Sequence, residues 1–180
     1  MSIFEEELLK QLSNPSKRAA AFSTLVRTYQ ERLYWHIRKM VLSHEDSNDV
    51  LQNTFMKAWN GIDGFRGESQ LSTWLYRIAT NETLTFLANK RMRNTNSLDE
   101  IEDGLILNLR ADSYFNGTEI QLRLQEAILT LPEKQRLVFN MKYFEDITYE
   151  EMENILGTSV GALKASYHHA VKKIEKYFEE

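Results

Sequence analysis

Apolar residues recur at helical spacing along nearly the whole chain, and no stretch alternates as a strand would. Phe4, Leu8, Leu9 and Leu12 make a short amphipathic helix that Asn14-Pro15 ends. Over residues 17–42, Ala21, Phe22, Leu25, Val26, Tyr29, Leu33, Ile37, Met40 and Val41 keep the period of a core helix. A third helix starts at residues 43–46, where Glu45, Asp46 and Asp49 suit the positive end of the helix dipole. It runs to about Trp59 with Leu51, Phe55, Ala58 and Trp59 as its buried stripe, which leaves Asp49, Gln52, Asn53, Met56 and Lys57 on a polar outer face. Residues 61–69 hold three of the chain's seven glycines and read as a loop. Beyond it Leu71, Trp74, Leu75, Ile78, Ala79, Leu84 and Leu87 carry a fourth helix toward Lys90-Arg91-Met92-Arg93.

Over residues 94–117 the period fades, and Asp99, Glu100, Glu102, Asp103 and Asp112 face only Arg110, so the segment reads as an acidic linker. Its apolar island Leu105-Ile106-Leu107-Asn108-Leu109 is too hydrophobic for a purely solvated spacer, and part of it is expected to dock on a domain or a partner. A second helical group starts near Thr118. Ile120, Leu124, Ala127, Ile128 and Leu131 share a stripe, Pro132 suits the first position of the next helix, and Leu137, Val138 and Met141 continue the burial. Thr148-Tyr149-Glu150-Glu151 has capping-box spacing, which predicts a helix from Tyr149 through Met152, Ile155 and Leu156 to a stop at Gly157. Ser159 then caps a longer helix whose inner stripe is Val160, Leu163, Tyr167, Ala170, Val171 and Ile174. Its outer face carries Lys164, Ser166, His168, Lys172 and Lys173. A two-turn helix, a glycine corner and a longer helix with a basic face form a helix-turn-helix, which sets its second helix in the major groove. A helical hairpin in an unrelated bundle is the plain alternative. The expected fold is therefore all-α: two small helical domains, 1–93 and 118–180, joined by an acidic linker and ending in a helix-turn-helix.

Composition narrows the function classes. With 42% apolar residues the chain can build real cores, and the lack of cysteine removes disulfide frameworks and thiolate chemistry. No apolar run reaches membrane-spanning length and the first residues are acidic, so the expected place is the cytoplasm, without membrane insertion. The net charge of −4 argues against indiscriminate binding to nucleic acid, but two islands, residues 66–93 and 159–176, are each locally +3. In the first, Phe65, Trp74 and Tyr76 interleave with Arg66, Arg77 and Asn81 around one loop-to-helix junction. Rings beside cations suit single-stranded nucleic acid, because bases stack on the rings while phosphates pair with the cations. Trp74 lies in register with the buried stripe; Phe65, on the glycine-rich loop, is the better candidate for contact. Asn81 can offer a donor and an acceptor to a base edge. No triad, metal-ligand cluster or phosphate-binding glycine loop points to an enzyme, a metal or a cofactor, and adjacent His168 and His169 point to different faces.

Several separated motifs together resemble the extracytoplasmic-function sigma factors of bacterial RNA polymerase. Asp49-Val50-Leu51-Gln52-Asn53-Thr54-Phe55-Met56-Lys57-Ala58-Trp59 looks like that family's polymerase-docking helix. Phe65-Arg66-Gly67-Glu68-Ser69 with Thr73-Trp74-Leu75-Tyr76-Arg77-Ile78-Ala79-Thr80-Asn81 looks like its promoter-melting segment. Leu131-Pro132-Glu133-Lys134-Gln135-Arg136 and the helix-turn-helix are similar to its carboxyl-terminal domain. Asn48 and Asn53 stand where the docking helix often has acidic residues, and Ala165, Ser166 and His169 where recognition helices often have serine and arginine. The resemblance implies docking on core RNA polymerase through Asp49, Gln52, Asn53, Met56 and Lys57. It implies reading of the upstream promoter element as duplex by Lys164, Ser166, His168, His169, Lys172 and Lys173. Phe65, Arg66, Trp74, Arg77 and Asn81 would take the melted non-template strand of the downstream element. It further implies an anti-sigma factor as an inhibitory partner. The rival readings are a two-domain helix-turn-helix regulator that acts without polymerase, and an adaptor that binds only another protein.

Overall fold

The computed structural model describes residues 3–93 and 118–179, all of its regular structure helical. The acidic linker expected at 94–117, with its apolar island, lies outside the described residues. Contacts divide the chain into two compact units, one built on the first four helices as far as Leu87 and the other on most of the rest. No helix among the described residues is long and apolar enough to cross a membrane.

The first unit contains α1 (Ile3–Leu12), α2 (Arg18–Val41), α3 (His44–Gly61), a 3-10 turn (Ile62–Gly64) and, as far as Leu87, α4 (Leu71–Arg93). Its centre is the inner seam of α2, where Leu25, Leu33, Ile37 and Met40 are buried. Leu42, left-handed at φ 66°, closes α2 by donating its N–H to the Arg38 carbonyl. One residue later Ser43 opens α3, its hydroxyl accepting the Asp46 N–H at 3.2 Å. The glycine-rich stretch is more ordered than its composition predicts: Gly61 is the last residue of α3 and Gly64 ends the 3-10 turn, so the loop proper is residues 65–70.

Three expected faces are corrected. On α3 the buried residues are Ser47, Val50, Thr54 and Ala58; Leu51 and Phe55 are half-buried and Trp59 stays 37% exposed. On α4 the buried face contains Thr73, Tyr76, Thr80 and Thr83 beside Leu71, Leu75 and Ala79, while Trp74 and Ile78 are half-buried. The hydroxyls inside cost little because they bond to their own helices: Ser47 donates to the Ser43 carbonyl, Thr54 to Val50 at 2.8 Å and Thr83 to Ala79 at 2.8 Å. Thr80 instead meets the buried His36 ring of α2 at 2.9 Å, and the Tyr76 ring packs edge-on against the same histidine with centroids 5.0 Å apart. On α1, Phe4 is 48% exposed and its neighbour Glu5 is buried.

The second unit contains α5 (Glu119–Leu129), α6 (Glu133–Tyr143), α7 (Tyr149–Leu156) as far as Glu153, and α8 (Val160–Glu179). Ala127, Ile128, Leu131, Phe139, Ala170 and Ile174 form its core, with Leu124, Tyr167 and Val171 packed against it. Thr118 and Gln121 make a capping box at the start of α5, which turns Ile120 outward to 73% exposure instead of into the stripe. Pro132 is the residue before α6 rather than its first turn, and Leu156 at the end of α7 is half-buried.

The corner between α7 and α8 forms as the sequence pattern predicts. Thr148 and Glu151 complete a reciprocal capping box, and Gly157 at φ 64° donates its N–H to the Glu153 carbonyl. An L side chain is disfavoured in that left-handed conformation although there is open space around the glycine. Gly157→Ala and Thr148→Ala are each expected to lower stability by about 1 kcal/mol. Urea unfolding of the full chain, followed by circular dichroism, checks both; an unchanged midpoint in either would remove that residue from the corner's stability.

Candidate nucleic-acid interface

The position of α8 is set at its first turn. The Glu153 carboxylate accepts the Val160 N–H at 3.3 Å, and the Ser159 hydroxyl accepts the Ala162 N–H at 3.4 Å, so two otherwise unpaired amides are held from the corner itself. Leu163, Ala170 and Ile174 are buried on the inner side. Outward, Lys164, His168 and Lys172 follow one another at four-residue steps with His169 and Lys173 beside them, and all five are exposed; Ser166 is half-buried. Lys164, His168 and Lys172 therefore line one exposed strip of α8, with His169 and Lys173 on the adjoining strip. Lys164 also lies over the Tyr149 ring of α7, its Nζ 5.7 Å from the centroid, which restrains the lysine at the edge of that face. Tyr167 stacks on Phe139 with rings 5.7 Å apart, and burial, followed by the neighbouring Tyr149, raises its hydroxyl pKa above the ordinary tyrosine value. The His168 and His169 rings are 6.1 Å apart and tilted, and no cluster of metal-ligating side chains occurs among the described residues.

The second basic island is organised around the loop at 65–70. Phe65 is extended, donates its N–H to the Ile62 carbonyl, and sets its ring against Trp74 with centroids 5.3 Å apart and planes tilted by 50°. Both rings are half-buried, so the expected division into a core Trp74 and an exposed Phe65 does not hold: they are one aromatic pair. Gly67, at φ 72°, makes the turn that follows. Beside this pair is a pocket of about 300 Å³, lined by Phe65, Arg66 and Gly67 together with Leu9 and Leu12 of α1 and the following Ser13. Arg66 and Arg77 are exposed, as is Asn81, which lies two helical turns beyond Trp74 and outside the lining of this pocket. Tyr76 is buried and belongs to the core. The contribution of α1 was not foreseen, because nothing in a ten-residue amphipathic helix marks what its last turn will face.

A third surface is the outer side of α3. Asp49, Gln52, Asn53, Met56 and Lys57 are all exposed, with Met56 at 56% the largest apolar group among them. Lys57 is ion-paired with Glu82 of α4, which ties this face to the neighbouring helix. Chemically the three surfaces differ: a row of cations and imidazoles, an aromatic pair with a pocket, and a polar helix face with one exposed methionine.

The chain is similar to known proteins over both groups of helices. Residues 25–93 match the family model described as Sigma-70 region 2, and residues 121–174 match that described as Sigma-70, region 4. The ECF RNA polymerase sigma-E factor of Haemophilus influenzae is 30% identical over 186 residues, covering 95% of this chain and 93% of that protein. The structure of CnrH in complex with the cytosolic domain of CnrY shares the fold at a TM-score of 0.70 and 21% identity, covering 97% of both chains. The sigma factor RpoE in complex with the anti-sigma factor NepR from Bartonella quintana does so at 0.65 and 20%, covering 88% of this chain and 96% of that one.

Proposed function

Because the chain belongs to the extracytoplasmic-function sigma factors of bacterial RNA polymerase, initiation factors that direct the core enzyme to promoters, we propose how its own residues divide that work. Residues 1–93 are the polymerase-docking and melting domain, 94–117 the linker, and 118–180 the domain that reads the upstream element. The face formed by Asp49, Gln52, Asn53, Met56 and Lys57 docks on the core enzyme. Lys164, Ser166, His168 and His169 meet bases of the duplex upstream element, with Lys172 and Lys173 on the phosphates. Phe65, Arg66, Trp74, Arg77 and Asn81 take the non-template strand once it is unpaired. An anti-sigma factor is a further proposed partner, supported by the likeness in fold to RpoE, whose structure was solved with one. The proposed place of action is the cytoplasm, where polymerase and promoter meet.

The observation that carries the melting role is the half-buried Phe65 and Trp74 pair beside a 300 Å³ pocket with Arg66 on its wall. Unstacking a base costs a few kcal/mol, and stacking on an aromatic ring returns about 1–3 kcal/mol. A ring already held against a neighbouring ring loses little entropy when a base stacks on it, so capture can offset extrusion without any catalytic group. A regulator acting without polymerase would gain nothing from such a pocket, because it never meets a single strand.

Reconstitution of the full chain with core polymerase and a library of promoter fragments tests the reading, scored by specific run-off transcripts. Within that assay Phe65→Ala is expected to slow open-complex formation on duplex promoters, and to have far less effect on templates already mismatched across the downstream element. Equal defects on both templates would remove the loop from melting. For the upstream element, Lys172→Ala is expected to weaken all sequences alike and to reduce the slope of log affinity against log salt by roughly one unit. Ser166→Ala is expected to relax preference at a single base pair and leave that slope unchanged.

A further inference from the structure

The short loop at 65–70 is held chiefly where it enters and where it leaves. It leaves into α4, whose first amides have no partner within the helix. One of them, the Ser72 N–H, donates to a carboxylate oxygen of Glu5 at 3.3 Å, and the same oxygen accepts the Tyr29 hydroxyl at 3.0 Å. Glu5 is buried, and a buried carboxylate is costly unless it is partnered. Here one partner comes from α2 and the other from the positive end of α4. Burial, together with the Glu5 carboxylate it donates to, raises the Tyr29 hydroxyl pKa well above the ordinary tyrosine value, which keeps it a donor.

The loop enters from the 3-10 turn, where Arg18 of α2 makes a second anchor. Its Nη1 lies 2.9 Å from both carboxylate oxygens of Asp63, and its Nη2 donates to the Trp59 carbonyl at 3.2 Å. The guanidinium also lies 4.9 Å from the centroid of the Trp59 ring. Leu9 and Leu12 of α1, with the following Ser13, line the same pocket as Phe65. One short helix thus supplies both the clamp on the start of α4 and a side of the pocket.

We propose that Glu5, with Arg18 as its counterpart at the other end, is a positioning residue: it fixes the base-reading loop against α1 and so sets which downstream base the pocket accepts. The inference rests on the reading of this loop as the part that captures an unpaired base. It extends that reading to residues of α1 and α2 outside the loop.

The test uses the full chain reconstituted with core polymerase on duplex promoters, on mismatch-bubble templates and on a library randomised across the downstream element. Glu5→Ala is expected to slow opening of duplex promoters about tenfold, to leave bubble templates within about twofold of the parent, and to broaden base preference downstream. Glu5→Gln, which keeps an acceptor for Ser72, is expected to restore most of the rate and the preference, and Glu6→Gln, on the exposed neighbour, to change neither. Should Glu5→Ala lose helical content, Tyr29→Phe removes the hydroxyl alone and is expected to broaden the same preference; unchanged preference there overturns the proposal. It is also overturned if Glu5→Ala opens duplex promoters at the parental rate with parental preference, or slows both templates equally. Phe65→Ala separates the two ideas. A slow Phe65→Ala beside a normal Glu5→Ala sinks only the positioning role, whereas a normal Phe65→Ala sinks the loop reading and the inference with it.

Discussion

The ends of helices dominate the placement of functional groups in this chain. An α-helix leaves its first amides and last carbonyls without partners, and whatever satisfies them also fixes the direction in which the chain continues. At the corner of the second unit, Thr148, Glu151, Glu153 and Ser159 take the open amides of two successive helices, so the basic face of α8 is aimed by the same bonds that end and restart the chain. In the first unit Ser43 opens α3, while a carboxylate from α1 holds an amide at the start of α4. Six loop residues between a 3-10 turn and that amide have little freedom to wander. The pocket beside Phe65 is thus bounded by a loop tied down at both of its ends.

Charge adds the second constraint. The chain is acidic overall, yet the outward side of α8 carries lysines and histidines without an acidic residue from Val160 to Ile174. A net negative protein with one cationic face is poorly suited to random contact with phosphates and well suited to contact in one orientation. The outer side of α3 is the reverse case: near neutral and exposed, with Met56 on it and Lys57 already paired to Glu82. Those properties fit a contact that depends on shape and hydrogen bonding more than on attraction at a distance.

Much of this organisation was legible from residue types. The capping box at Thr148, the stop at Gly157 and the restart at Ser159 follow from local chemistry, and each forms as the pattern predicts. The outer faces of α3 and α8 also lie where helical spacing puts them, whereas the inner faces of α3 and α4 do not. Hydropathy treats serine and threonine as polar, but their hydroxyls can bond to the carbonyl one turn back and then enter a core, as Ser47, Thr54 and Thr83 do. That shift rotates both helices and leaves Trp59 and Trp74 less buried than their apolar character suggests. Glu5 is the sharpest case. A carboxylate beside a phenylalanine reads as the solvent side of α1, and only the tertiary approach of Tyr29 and Ser72 makes it the inward residue.

The claim on which the account turns is that the short loop between the 3-10 turn and α4 chooses the downstream sequence while α8 chooses the upstream one. Residues 63–72 can be replaced by the corresponding loop of a relative with a different downstream preference, and transcripts sequenced from a promoter library randomised at both elements. The account predicts that the downstream preference follows the grafted loop and the upstream preference stays that of the parent. An active chimera that keeps the parental downstream preference would contradict it.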